Sequence, residues 1–220
     1  MFNRAIYKAH ALDQLKNRWV APCLVTAAVL VIYVGLYVAS GIVADTSKGA
    51  LLVQLISLLI VCEVGIASMV LHYVHLKISR STVPATLDDV LVAIGDYSVK
   101  GILGLLWYSL WVFLWSLLFY IPGIVKSIAY SQMFFVMIEN PEIGPMKAMN
   151  ISKVMTNGHK ADLFVMELSF LGWGILCCLS GGIGLVWLIP YEMTAFSNAY
   201  TALKMGAINT GKLTPADFSK

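Results

Sequence analysis

From Gly101 to Glu139 the chain consists almost wholly of residues that prefer oil to water, yet "YIPGIVKS" at 120–127 sets a proline, a glycine and a lysine in the middle of it. As one helix this stretch would be about 58 Å long, close to two membrane thicknesses. A single straight crossing is therefore excluded. Pro122 cannot donate a backbone N–H and clashes with the preceding turn, and Gly123 adopts conformations closed to other residues. The pair predicts a reversal, with helices over about 101–121 and 123–139 and "PGIVK" as the turn between them.

The rest of the chain is built the same way. It is 59% hydrophobic and 12% charged over 220 residues, with a mean hydropathy of +0.80, whereas a soluble domain carries about 25% charged residues. One soluble core could not hide so much apolar surface, so lipid must cover much of it. Runs at about 19–43, 50–73, 161–179 and 182–200 are each long enough to span. The last two are split by "SGGIG". The opening "MFNRAIYKAHALDQLKNRW" is mixed and basic, and the apolar run after it is too long for a signal core, so the first run is expected to stay as a helix.

The expected fold is all-α: a single polytopic membrane domain over 1–220 with six transmembrane helices and both termini cytoplasmic. A cytoplasmic helix over 1–17 precedes the spans and a cytoplasmic tail over 205–220 follows them. Charge placement sets the orientation. Six spans leave Arg4, Lys8, Lys16, Arg18, Lys77, Arg80, Lys100, Lys147, Lys153, Lys160, Lys204, Lys212 and Lys220 inside, with only Lys48 and Lys126 outside. Were Pro-Gly a mere kink, every later lysine would change sides and the asymmetry would vanish. Lys126, about one turn into the fourth helix, can snorkel to the outer headgroups.

Two cytoplasmic segments have the pattern of short amphipathic helices, which lie in the membrane interface or pack under the bundle. In "STVPATLDDVLVAIGDYSVK", Leu87, Val90, Leu91 and Ile94 share a face, Thr86 can cap the start, and Asp88 and Asp89 suit the first turn. "GPMKAMNISKVMTNGHK" places Ala148, Ile151, Val154 and Met155 on one side. Cys23, Cys62, Cys177 and Cys178 all lie in apolar runs without metal-ligand spacing, as packing residues do.

The second half carries a recognisable order of features: Pro122-Gly123, Tyr130-Ser131, Asn140-Pro141, Ser152, "GHK" at 158–160, "LSFLGW" at 168–173, "GIG" at 182–184, Pro190-Tyr191 and Tyr200. Over this region the chain resembles the bacterial membrane protein family catalogued as domain of unknown function 975. More distantly, its layout is similar to the membrane domain attached to some glycerophosphodiester phosphodiesterases, without their catalytic domain. The resemblance implies a location in a bacterial cytoplasmic membrane and an architecture, but no activity, cofactor or functional residue.

Three carboxylates fall inside the spans. By helical rise, Glu63 lies about 18 Å and Glu192 about 15 Å from the outer ends of their helices, and Glu167 about 9 Å from the inner end of its own. An ionised acid at that depth costs at least about 2.5–3.5 kcal/mol. Each must be neutral, hydrogen-bonded, solvated in a cavity or matched by a cation. Pro190 frees the carbonyl of Val186 one turn from Glu192, and a broken helix beside acids suits a cation or proton site. Glu63, Glu167 and Glu192 are accordingly the candidate cation or substrate ligands, and Pro122, Gly123 and Pro190 the candidate hinges. The plainer reading is a neutral glutamate bonded to a polar side chain on a neighbouring helix.

"HYVH" puts His72 and His75 on one helical face, a lesser metal candidate because no acid or cysteine stands at ligand spacing beside them. No nucleophile elbow, phosphate loop or zinc motif occurs, so neither an enzyme nor a cofactor is expected. The net charge of +3 argues against nucleic acid as a partner. The leading expectation is a small transporter or permease-like protein that binds a proton, metal cation or organic cation. Membrane lipids and further copies of the chain, in a homo-oligomer, would be its other partners. The competing expectation is a non-catalytic scaffold, lipid sensor or peptide-immunity protein that works through its cytoplasmic amphipathic helices.

Overall fold

The computed structural model describes residues 2–44 and 49–219. Lys48 and Lys220, used above in the charge argument, lie outside the described residues. Nine α-helices follow one another among the described residues: α1 (Arg4–Leu15), α2 (Val20–Ala44), α3 (Gly49–Arg80), α4 (Leu87–Leu118), α5 (Tyr120–Tyr130), α6 (Met133–Glu139), α7 (Pro145–Met155), α8 (Lys160–Leu179) and α9 (Leu185–Asn209). A 3₁₀ turn at Pro215–Phe218 closes the chain, and no strand occurs among the described residues.

Five stretches are long and apolar enough to cross a bilayer: α2, α3, α4, the α5–α6 pair and α8. That is the signature of a multi-pass membrane protein. α9, expected as a sixth crossing, is 25 residues long but is not among the five. The reason is its polar content, which faces protein. Glu192, Thr194, Ser197, Asn198, Thr201 and Lys204 punctuate it, and it packs against α1, α2, α3, α7 and α8. Ser197 shares a 2.7 Å hydrogen bond with Ser79 of α3, and Asn198 donates to Gln14 of α1 at 2.8 Å. α9 is the central post of the fold, and neighbours take the place of hydrocarbon around it.

Contacts between successive helices fix their directions. Tyr73 meets Tyr97 and Lys77 pairs with Asp89 at 2.5 Å, so α3 and α4 are antiparallel. Tyr97 reaches the Ile138 carbonyl while Lys126 covers Trp115, so α4 and α5–α6 are antiparallel too. α8 and α9 form a third such hairpin, with Phe170 against Tyr191 and Cys177 beside Gly184. α3, α6 and α9 therefore run the same way. Their C-terminal ends meet at Glu139, which binds Arg80 of α3 and accepts from Tyr200 and Lys204 of α9, the last at 2.6 Å.

Three sequence expectations need correction. The reversal after α4 is made by Phe119 alone, in an extended conformation (φ −160°, ψ 147°). Pro122 sits in the first turn of α5, where a helix does not need its N–H, and Gly123 is a packing residue. A Cβ there would fall 3.1 Å from the Cα and Cβ of Ser116, so its absence lets the hairpin close. Pro190, for its part, lies within an unbroken α9.

The segment expected as a separate interfacial helix at 87–100 is continuous with the next span. α4 has 32 residues, about 48 Å, more than a bilayer is thick. It starts where Thr86 and Asp89 form a capping box. Nothing interrupts it at Lys100, where Gly101 instead beds against Gly65 of α3.

α7 lies at the surface, packed under its neighbours: it buries Ala148, Met149, Ile151, Ser152 and Met155 against α4, α5, α6 and α9, while Met146, Lys147, Asn150 and Lys153 stay exposed. Lys126 sits in α5 with its ammonium 4.1 Å over the Trp115 ring of α4, and the α5–α6 rod is broken between Tyr130 and Met133.

Candidate functional site

That break, at Ser131–Gln132, organises the site. α5 ends at Tyr130 and α6 begins at Met133, which strips main-chain groups of their helical partners inside the core. α7 replaces them. The Gln132 N–H donates to Ser152 Oγ at 3.2 Å, while Ser152 Oγ and Thr156 Oγ1 donate to the Ala129 carbonyl at 2.8 and 3.3 Å. Irregular backbone at membrane depth is tolerated only where protein or a cavity satisfies it. Here protein satisfies one side and a cavity opens on the other.

The cavity has a volume of about 150 Å³ and lies between α3, α5, α6, α8 and α9. Glu167 of α8 and Glu192 of α9 both line it, with His72, Ser131 and Gln132. Leu163, Phe135 and Phe196 supply apolar walls. Two of the three glutamates singled out by depth are thus brought together. Glu63 is not with them; it lines a different cavity, on the far side of α3.

Glu167 stands at the rim, on an exposed face of α8, and Glu192 is half-buried inside. The two carboxylates are close enough to repel, and neither has a hydrogen-bond or ion-pair partner among the described residues. The Gln132 side chain is fully buried. Its Nε2 donates to Ser131 Oγ at 2.9 Å, but its Oε1 has no partner. His72 donates from Nδ1 to the Ser68 carbonyl at 2.6 Å, which leaves Nε2 as an acceptor, and its ring packs on Phe134 and Phe135. The lining therefore offers two carboxylates, an amide oxygen and an imidazole nitrogen, all acceptors. Such a set suits a proton, an ammonium or a small hydrated cation.

His72 and His75 each spend Nδ1 on a carbonyl one turn back in their own helix. His75 donates from Nδ1 to the Leu71 carbonyl at 2.6 Å and is fully buried. Among the described residues no group of three or more His, Cys, Asp and Glu side chains is placed to hold a metal.

One residue of this neighbourhood escaped sequence reasoning. Lys8 of α1 donates to Ser169 Oγ at 3.1 Å, lies 4.2 Å over the Phe170 ring, and faces Tyr191 at 5.9 Å. Burial and the Arg4 charge hold its ammonium below the usual lysine range, against the pull of Glu192. The only signal in the sequence was a basic amphipathic start, which reads as a helix on the membrane surface. Nothing in its pattern shows that α1 docks across α8 and α9. Glu139 was also missed, because it terminates an apolar run and looks like the first exposed residue after it.

The arrangement defines a polytopic α-helical membrane protein with a small acceptor-lined cavity at a broken helix. Residues 117–206, from the end of α4 to near the end of α9, match the family described as "Protein of unknown function (DUF975)". That is the half of the chain in which the ordered motifs were read. No curated protein and no solved structure matches the chain, and the distant likeness to the phosphodiesterase membrane domain finds no support.

Proposed function

We propose that the chain crosses the bacterial cytoplasmic membrane six times, with both termini inside, and binds a proton or small cation at Glu167 and Glu192 as part of a transport cycle. The observation that carries this reading is two unpaired carboxylates on adjacent helices lining one cavity with the orphaned Gln132 oxygen. A volume of about 150 Å³ is below the roughly 300–1,000 Å³ of sites for drug-sized molecules. The fitting ligand is therefore hydronium, an alkali cation, ammonium or a methylated amine. The same reading assigns no enzymatic step and no resident cofactor.

The test is thermal stability of the purified protein across pH and a panel of such cations, because a ligand that binds only the folded state raises its midpoint by mass action. One cation should stabilise the wild type, and Glu167→Gln or Glu192→Gln should abolish that response while Glu63→Gln retains it. Indifference of the wild type to every cation, with all three variants equally stable, would remove the reading. The scaffold alternative then takes its place. Its open surfaces are the start of α4, where Leu87, Leu91 and Ile94 are exposed, and the outward side of α7, where Met146, Lys147 and Lys153 are.

A further inference from the structure

Glu63 is left over from that site, and its surroundings are of another kind. It lines a cavity of about 980 Å³ bounded by α2, α3 and the start of α4, at the upper end of the range for small-molecule sites. The walls are aliphatic, with Leu24, Ala28, Ile66 and Val70 among them. Among the described residues Glu63 is the only acid on the lining and Arg18 the only base. Arg18 lies at the end where α2 begins and donates to the Ser81 carbonyl at 2.5 Å, not to Glu63. Both carboxylate oxygens of Glu63 are shielded from solvent without a hydrogen-bond partner. Several wall residues are also exposed on the apolar flank of the molecule: Val20 at 72%, Leu24 at 64% and Leu59 at 54%. The cavity thus opens sideways through hydrophobic side chains, the face that a membrane would present to lipid.

We propose that this cavity is a second site, separate from the Glu167–Glu192 pair, for a lipophilic amine that enters from the bilayer and sets its nitrogen on Glu63 with its hydrocarbon along α2 and α3. The wall chemistry selects an alkyl body, and two orphaned acceptors at one point on an otherwise apolar wall select a head that donates hydrogen bonds. A chain without a donor would leave the carboxyl unmet, and an anionic head would enter an apolar cavity with no cation beside Glu63 to neutralise it. Entry is charge-neutral overall: the amine arrives unprotonated from the hydrocarbon and takes the Glu63 carboxyl proton. An ammonium–carboxylate pair results, screened from water.

The experiment uses the full chain in phosphatidylcholine nanodiscs, with thermal midpoints measured against dodecylamine, dodecanol and dodecanoate. Dodecylamine should bind at least about tenfold more tightly than dodecanol, the factor expected for a hydrogen bond to a charged group. Dodecanoate should do no better than the alcohol. In Glu63→Gln the amine-to-alcohol ratio should fall to near one, while Glu192→Gln leaves it unchanged. Ala28→Phe, which fills the cavity from the α2 wall, should remove the amine response. Equal responses to amine and alcohol in the wild type would overturn the proposal and leave only a groove for acyl chains. So would an amine preference that survives Glu63→Gln, or, should that variant not fold, one that survives Ala28→Phe.

Discussion

Replacing Glu139 by glutamine should loosen the junction where α3, α6 and α9 end together. The wild-type carboxylate is 12% exposed and holds Arg80, at 38%, and Lys204, at 22%, while the Tyr200 hydroxyl donates to the same oxygen as Lys204. Glutamine keeps the shape and can still accept from Tyr200, so the loss isolates the charge. Breaking a buried ion pair from one side costs about 3–5 kcal/mol. Both cations here can turn partly toward water, which lowers the figure to about 2–3 kcal/mol. At roughly 2–4 °C per kcal/mol for a chain of this size, the unfolding midpoint should drop by about 4–12 °C. The assay is thermal unfolding in a mild detergent at moderate salt. A second arm adds Lys204→Met to each background, because removing one of two stranded cations should recover part of the loss. A coupling of at least about 1 kcal/mol in that cycle is expected for groups in direct contact. A midpoint within about 2 °C of the wild type, or additive losses in the double variant, would refute the idea that Glu139 pins the three helices through charge.

Two further outcomes follow from the same structure. A Cβ at Gly65 would lie 2.8 Å from Ile102 Cα and 3.0 Å from its nitrogen, whereas one at Gly172 would meet nothing within 4 Å. Gly65→Ala should therefore destabilise by about 1–3 kcal/mol through backbone displacement, and Gly172→Ala should be neutral or stabilise by up to about 1 kcal/mol; thermal unfolding of the pair compares them directly. Lys8 binds its proton less tightly in the folded chain than an ordinary lysine, whose value is 10.5, so at alkaline pH the unfolded chain holds more protons. Stability should rise as pH climbs from the folded value toward 10.5 and level off above it. Lys8→Met should flatten that slope in unfolding midpoints measured across alkaline pH.

The apolar runs were legible because a bilayer imposes one length and one chemistry on any helix that crosses it. Their limits fall within a few residues of α2, α8 and the N-terminal end of α3, and the start of α9 was found from the glycine-rich "SGGIG" before it. What could not be read was where chain meets chain. A Pro-Gly pair signals a reversal equally well whether it forms the turn or, as here, the first turn of the following helix. The Ser131–Gln132 break has no proline or glycine, since α7 imposes it by offering Ser152 and Thr156 as partners. Depth arithmetic placed Glu63, Glu167 and Glu192 at one level but is blind to azimuth. α3 stands between Glu63 and the other two. His72 was noticed as a ligand type, yet its part in the cavity depends on Nδ1 being committed to its own helix.

The α5–α6 break also has a consequence for how the chain is made. When α6 leaves the ribosome, the Gln132 N–H and the Ala129 carbonyl have no partner, and Ser152, which serves both, is still to be synthesised. At about 5–20 residues per second that interval is on the order of 1–4 s, far longer than a helix needs to form or a segment to test its fit in lipid. Through it, the fourth apolar segment carries main-chain groups that hydrocarbon cannot satisfy. Its final packing is settled by the chain that follows it as well as by its own hydrophobicity.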